Sequence, residues 1–98
     1  MTLRLSRDAQ RDFNDIAGYI EQESQSIDIV DEVLDEIYEA LRLLPKYPRM
    51  GRKRPDLPGS LRSVVVSYYV VFYTVLDQQV YVARILHGSR DLAPIFDD

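Results

Sequence analysis

An α+β fold in the order β-α-α-β-β-β, with a helix hairpin packed on one face of a small antiparallel sheet, follows from three features of the sequence. Residues 61–66, 68–75 and 80–86 are three runs rich in aromatic and β-branched residues. The first half carries two stretches with apolar residues at helical spacing. A loop dense in Pro, Gly and Arg separates the two halves.

Thr2-Leu3-Arg4-Leu5 alternates polar and apolar residues as a short strand does. Ser6 can accept a backbone N–H as a helix N-cap and Asp8 meets the positive end of the helix dipole, so helix one starts near Arg7. Ala9, Phe13, Ile16, Ala17 and Ile20 form one apolar stripe, with Arg11, Asp12, Asp15 and Glu21 on other faces, and the helix ends around Glu23. Ser24-Gln25-Ser26 is a short polar connection in which Ser26 can cap a second helix. Its stripe is Val30, Val33, Leu34, Ile37, Tyr38, Leu41 and Leu44, and Pro45 and Pro48 stop it. So short a link makes the two helices an antiparallel hairpin with a shared apolar face to bury.

Residues 46–58 have turn chemistry and no periodicity, which predicts a loop. Arg62-Ser63-Val64-Val65-Val66 reads as a strand and Ser67 as a turn. The nearly unbroken apolar run that follows reads as a central strand covered on both faces. After a turn at Asp77-Gln78, the last run completes an antiparallel meander. Strand alternation then places Arg84 on one face with Val80, Val82 and Leu86. The first strand is expected at the sheet edge, and the sheet face opposite the helices is expected to be available to a partner.

Ninety-eight residues, 46% of them hydrophobic, fit one domain spanning 1–98. No apolar run reaches the length of a membrane span and the N-terminus lacks the pattern of a signal peptide, so the expectation is a soluble cytoplasmic protein with no membrane partner. Without cysteine there are no disulfides, thiolate catalysis or cysteine metal sites. A single His rules out a multi-histidine metal centre, and no cofactor is expected. Charge is strongly segregated: positions 8–39 hold eleven acids against the one base Arg11, whereas positions 42–62 hold seven bases against Asp56. Such runs can be solvated surface or can form a patch for phosphate or an acidic partner. A net charge of −4 argues against DNA binding by the chain alone.

Several residues in this order resemble the ParE toxins of bacterial type II toxin–antitoxin modules, within the RelE/ParE superfamily. They are Leu5-Ser6, the Ala9…Asp12…Ile16…Tyr19-Ile20 spacing, Leu41…Leu44-Pro45…Pro48…Gly51-Arg52, Leu61-Arg62, Tyr69-Val70-Val71-Phe72-Tyr73 and Ile85-Leu86-His87-Gly88-Ser89-Arg90-Asp91. The resemblance implies a RelE/ParE-like fold and a growth-inhibiting toxin. It also implies a cognate antitoxin, a small DNA-binding protein whose C-terminal segment wraps the toxin into a hetero-oligomer. ParE relatives are associated with poisoning DNA gyrase, and RelE relatives cut messenger RNA on the ribosome. The RelE branch carries phosphate-clamping arginines on its second and third strands, where this chain has Val65 and Val70.

The two branches place different demands on the same residues. Metal-free RNA cleavage needs an acid or base with clustered cations, for which His87, Arg62, Arg84 and Arg90 are the candidates. His87 can equally be structural, bonded to backbone or to Asp91, and Arg84 can equally pair with an acid from the helices. Arg62 and Arg90 can form a basic rim, or pair with Asp56 and Asp91. A toxin that acts by gripping proteins needs exposed Arg and aromatic residues instead, and the candidates are Arg52, Arg54, Arg62, Tyr69, Arg84, His87, Arg90 and Phe96. The missing strand arginines and the acidic total favour the gyrase inhibitor, with no intrinsic catalysis, over the ribosome-dependent endoribonuclease.

Overall fold

Ser6 ends the first strand and starts the first helix at a single residue. Its N–H donates to Val82 O (2.9 Å), its hydroxyl donates to Ala83 O (2.7 Å), and the same oxygen accepts the Ala9 N–H (2.9 Å). The cap read from the sequence is thus also the joint that ties helix to sheet. The computed structural model describes residues 1–24 and 27–96, with side chains described outside residues 19–31. The cap expected of Ser26 and the packing expected of Ile20 and Val30 lie outside the described residues.

The elements are β1 (Thr2–Leu5), α1 (Arg7–Ser24), α2 (Ile27–Leu43), β2 (Arg52–Lys53), β3 (Arg62–Val66), β4 (Tyr69–Leu76), β5 (Gln79–His87) and α3 (Ala93–Phe96). The five strands form one sheet in the order β1-β5-β4-β3-β2. The β3–β4–β5 meander is antiparallel, as expected, but the sheet as a whole is mixed because β1 pairs parallel with β5, from Thr2↔Gln79 to Leu5↔Val82. Two short elements escaped the sequence: β2, which pairs Arg52 with Ser63 and Lys53 with Arg62, and the single turn of α3. Neither is long enough to show a periodicity. Because β2 covers only Arg62 and Ser63, residues 64–66 of β3 keep a free outer edge among the described residues.

Ala9 and Ile16 of α1, Ile37 and Leu41 of α2, and Leu44 in the turn just after it bury against Val71, Tyr73, Val80, Val82 and Ile85. Leu34 is only partly buried, at the margin of this core, and Ile37 occupies its centre. The hairpin between β4 and β5 turns on Asp77 and Gln78 at φ 52° and 61°, the two left-handed residues that let a two-residue turn follow the twist of the strands.

The expected alternation along β5 fails at one point. Phe72 pairs with Arg84 while Tyr73 pairs with Val82, so Ala83 is an extra residue in β5. It reverses the parity, and Arg84 and Leu86 fall on the face opposite Val80 and Val82.

The loop after α2 is anchored from below. The Tyr73 hydroxyl, on a side chain with no exposed surface, donates to Pro48 O (2.7 Å) and accepts the Gly51 N–H (2.9 Å). A Cβ at Gly51 would lie 2.7 Å from the Tyr73 ring and hydroxyl, so the position has no room for a side chain. Tyr73→Phe removes both hydrogen bonds and strands two backbone groups, and is expected to cost about 1–3 kcal/mol in urea unfolding with the fold retained. A change within about 0.5 kcal/mol would show that water replaces the hydroxyl at no penalty.

Candidate functional site

On the sheet face away from α1 and α2, a cleft of about 490 Å³ is lined by Met50, Arg52, Arg54, Val65, Phe72 and His87, among others. Its floor is Phe72, which is 1% exposed although no long helix covers it. Phe96 of α3 packs edge-on against the ring at 5.0 Å and the Arg54 guanidinium lies 5.6 Å from its centroid. The face expected to be open is therefore partly closed by the chain's own C-terminal turn and one arginine.

Arg52 and Arg54 differ in kind. Arg54 donates to Asp56 through Nε and Nη2 (3.0 and 2.8 Å) and to Ser63 Oγ (3.3 Å), and its side chain is 13% exposed. It is part of the cleft's framework. Its hydrogen bonds hold the Asp56 carboxyl below the usual carboxylate range, so the pair's contribution is present above that range and lost as pH falls through the lowered value. With Asp56 more than half exposed, that contribution is small. The Arg52 side chain is exposed and makes no hydrogen bond or ion pair among the described residues.

His87, exposed at the end of β5, has its Nδ1 engaged by the Ser89 N–H (3.1 Å) and Ser89 Oγ (2.7 Å). Its ring meets Tyr69 edge-to-face at 5.6 Å. Of the two structural partners the sequence offered His87, backbone and Asp91, it takes the backbone, and Asp91 accepts the Ala93 N–H at the start of α3 (3.3 Å). Arg90 is exposed in the same turn, and Tyr69 is 7% exposed, which leaves a partner little of it to touch.

Arg84 does not line this cleft. Its Nε and Nη2 donate to Asp12 of α1 at 2.7 and 2.9 Å, and the Ile85 N–H donates to the same carboxylate at 3.0 Å. Asp12 hydrogen bonding raises the already high pKa of Arg84. The pairing with a helix acid left open by the sequence is what the fold adopts. A signal for it existed: Asp12 stands three residues after Ala9 and four before Ile16, beside the buried stripe. Arg62 lies on the other face, beside Tyr73, where it donates to Gly51 O (2.8 Å) and lines a second cleft with Arg49 and Lys53.

The fold thus gathers Arg52, Arg54 and His87, with Phe96 over the floor, and leaves Arg62 and Arg84 outside that cleft; Arg54 also reaches the second cleft, beside Arg62. No group of three or more metal-binding side chains occurs among the described residues, and no helix among them is long and apolar enough to cross a membrane.

The family model described as ParE toxin of the type II toxin–antitoxin system parDE matches residues 3–92. The chain is similar to Toxin ParE3 of Caulobacter vibrioides, 32% identical over 92 residues that cover 94% of this chain and 87% of that one. Toxin ParE1 of the same organism is 31% identical over 88 residues, 90% of each chain. Among solved structures, one titled as the chromosomal ParDE TA system from P. aeruginosa superposes with a TM-score of 0.75 at 20% identity, covering 89% of this chain and 95% of that one. A YoeB-YefM complex from Staphylococcus aureus gives 0.57 at 17% identity, covering 90% and 97%. At these identities the structural likeness is one of fold.

Proposed function

Because the chain belongs to the ParE toxin family of type II toxin–antitoxin systems, we propose that it arrests bacterial growth in the cytoplasm by trapping DNA gyrase, without a reaction of its own. Direct binding of a cognate antitoxin then neutralises it. The observation that carries this reading is the dispersal of the groups an RNA-cleaving toxin would need. Of the four candidates, Arg84 is committed to Asp12 and Arg62 lies in another cleft. His87 stands with its Nδ1 taken by Ser89, and no carboxylate bonds to it among the described residues. Cleavage of a phosphodiester needs a base, an acid and an oxyanion clamp within reach of one phosphate, and Val65 and Val70 line the cleft where clamps would stand.

The free edge of β3 supports the antitoxin. Residues 64–66 present unpaired backbone between the exposed Val65, 73% accessible, and a wall of α2 acids, Glu32, Asp35, Glu36 and Glu39. An extended antitoxin segment could add there as a further strand, with basic residues facing α2 and apolar ones beside Val65.

Pulse-labelling just after induction without antitoxin tests the target. DNA synthesis is expected to fall first with translation intact, in wild type and in His87→Ala alike. A prompt fall in translation that His87→Ala abolishes would replace gyrase with messenger RNA as the target.

A further inference from the structure

The cleft on the helix-bearing face has no part in the proposed gyrase trapping. It measures about 570 Å³, and Arg49, Lys53, Arg54 and Arg62 line it with Pro48 and Ser60; its walls include no carboxylate. The nearest acid in sequence, Asp56, is bound to Arg54. We propose that this cleft binds phosphate, and through it the backbone of a nucleic acid.

Arg62 shows that the cleft is built. Arg11, Arg42, Arg54 and Arg84 each face a carboxylate, whereas half-buried Arg62 is held by a neutral acceptor, the Gly51 carbonyl. That carbonyl is fixed in turn, because the Gly51 N–H is held by the buried Tyr73 hydroxyl and the position has no room for a Cβ. The guanidinium is therefore positioned without being neutralised, the arrangement that suits bidentate grip on an incoming oxyanion. Arg49 and Lys53, two residues either side of Gly51, are exposed and unpaired among the described residues. Arg54 beside them is satisfied by Asp56, but Arg49, Lys53 and Arg62 have no carboxylate of their own, and a bound anion relieves the repulsion among them.

Phosphate fits better than a single carboxylate, since it offers several oxygens and more charge to three converging cations. A nucleic-acid strand supplies phosphates in succession, so Arg49 and Lys53 can meet neighbouring groups. The net charge of −4 opposes this, so binding is weak at physiological salt and emerges at low salt. The site stands apart from the gyrase reading, because it is measured on the isolated protein rather than in cells.

The test is fluorescence anisotropy of a labelled duplex of about 20 base pairs with the full chain, across a salt series from about 20 mM upward, with tripolyphosphate as second ligand. Wild type is expected to bind at low salt with a log–log slope of about −2 to −3. Arg49→Glu with Lys53→Glu is expected to weaken binding at least about tenfold and to flatten the slope by about 2, at unchanged melting temperature. Absence of duplex binding by wild type at low salt, or a variant with wild-type affinity and slope, would overturn the site. Tripolyphosphate binding without duplex binding would reassign it to free polyphosphates and overturn the nucleic-acid assignment. Tighter binding of polyglutamate than of DNA would do the same in favour of an acidic protein.

Discussion

Asp12→Ala is expected to cost about 3–5 kcal/mol, the penalty of leaving one member of a buried ion pair uncompensated. Asp12 is 8% exposed and accepts three hydrogen bonds, two from Arg84 and one from the Ile85 N–H. The third exists because β1 stops opposite Val82, so the edge of β5 beyond that point has no strand to pair with and α1 supplies the acceptor. Removing the carboxylate strands a guanidinium whose side chain is 24% exposed, together with a buried backbone donor. In a domain whose total stability is of order 5–15 kcal/mol, that approaches unfolding. Urea midpoints measure it. Asp12→Asn, which keeps an acceptor for Ile85, should lose less, and Asp12→Leu with Arg84→Met should recover much of the loss because no lone charge remains. An Asp12→Ala protein within about 0.5 kcal/mol of wild type would mean the bridge is not formed in solution.

Phe72→Ala is expected to cost about 3–5 kcal/mol, as truncation of a fully buried aromatic does. Its consequences are local as well, because the ring supports two neighbours: Phe96 loses its edge-to-face partner and Arg54 the surface beneath its guanidinium. The C-terminal turn should loosen, with faster amide exchange at 93–96, while α1 and α2 keep theirs at matched relative stability. Phe96→Ala should be milder, since Phe96 is only half-buried. Wild-type urea stability in Phe72→Ala would show that α3 does not close over the ring. Core truncation follows the same rule on the helices, where Ile37→Ala, at a site with no exposed surface, should exceed Leu34→Ala at the core's margin.

Much of the molecule was legible because local patterns reach far enough to specify it. The Ser6 cap, the two amphipathic stripes apart from Tyr38, which is 67% exposed, the proline stop after Leu44 and the turn at Asp77-Gln78 each depend on residues within a few positions. The family resemblance drew on the order of these same features. What escaped detection was short or irregular. A two-residue strand and a one-turn helix carry no period, and one extra residue in β5 inverts the face of everything beyond it.

The site residues were the least legible part, for an electrostatic reason. Four arginines that look equivalent as letters become four different objects: Arg52 is open, Arg54 is framework, Arg84 is bridged to a helix and Arg62 is held by a carbonyl. Only Arg54 has its carboxylate close in sequence, at Asp56 two residues on; the partners of Arg62 and Arg84 are distant, Asp12 standing 72 positions from Arg84. Sequence by itself determined the two long helices, the strands β1, β3, β4 and β5, the class of fold and the segregation of charge, all of which follow from short-range spacing and composition. Tertiary structure alone decided which charges are neutralised and which remain free to bind, because that depends on distances of about 3 Å between residues that only the folded chain brings together.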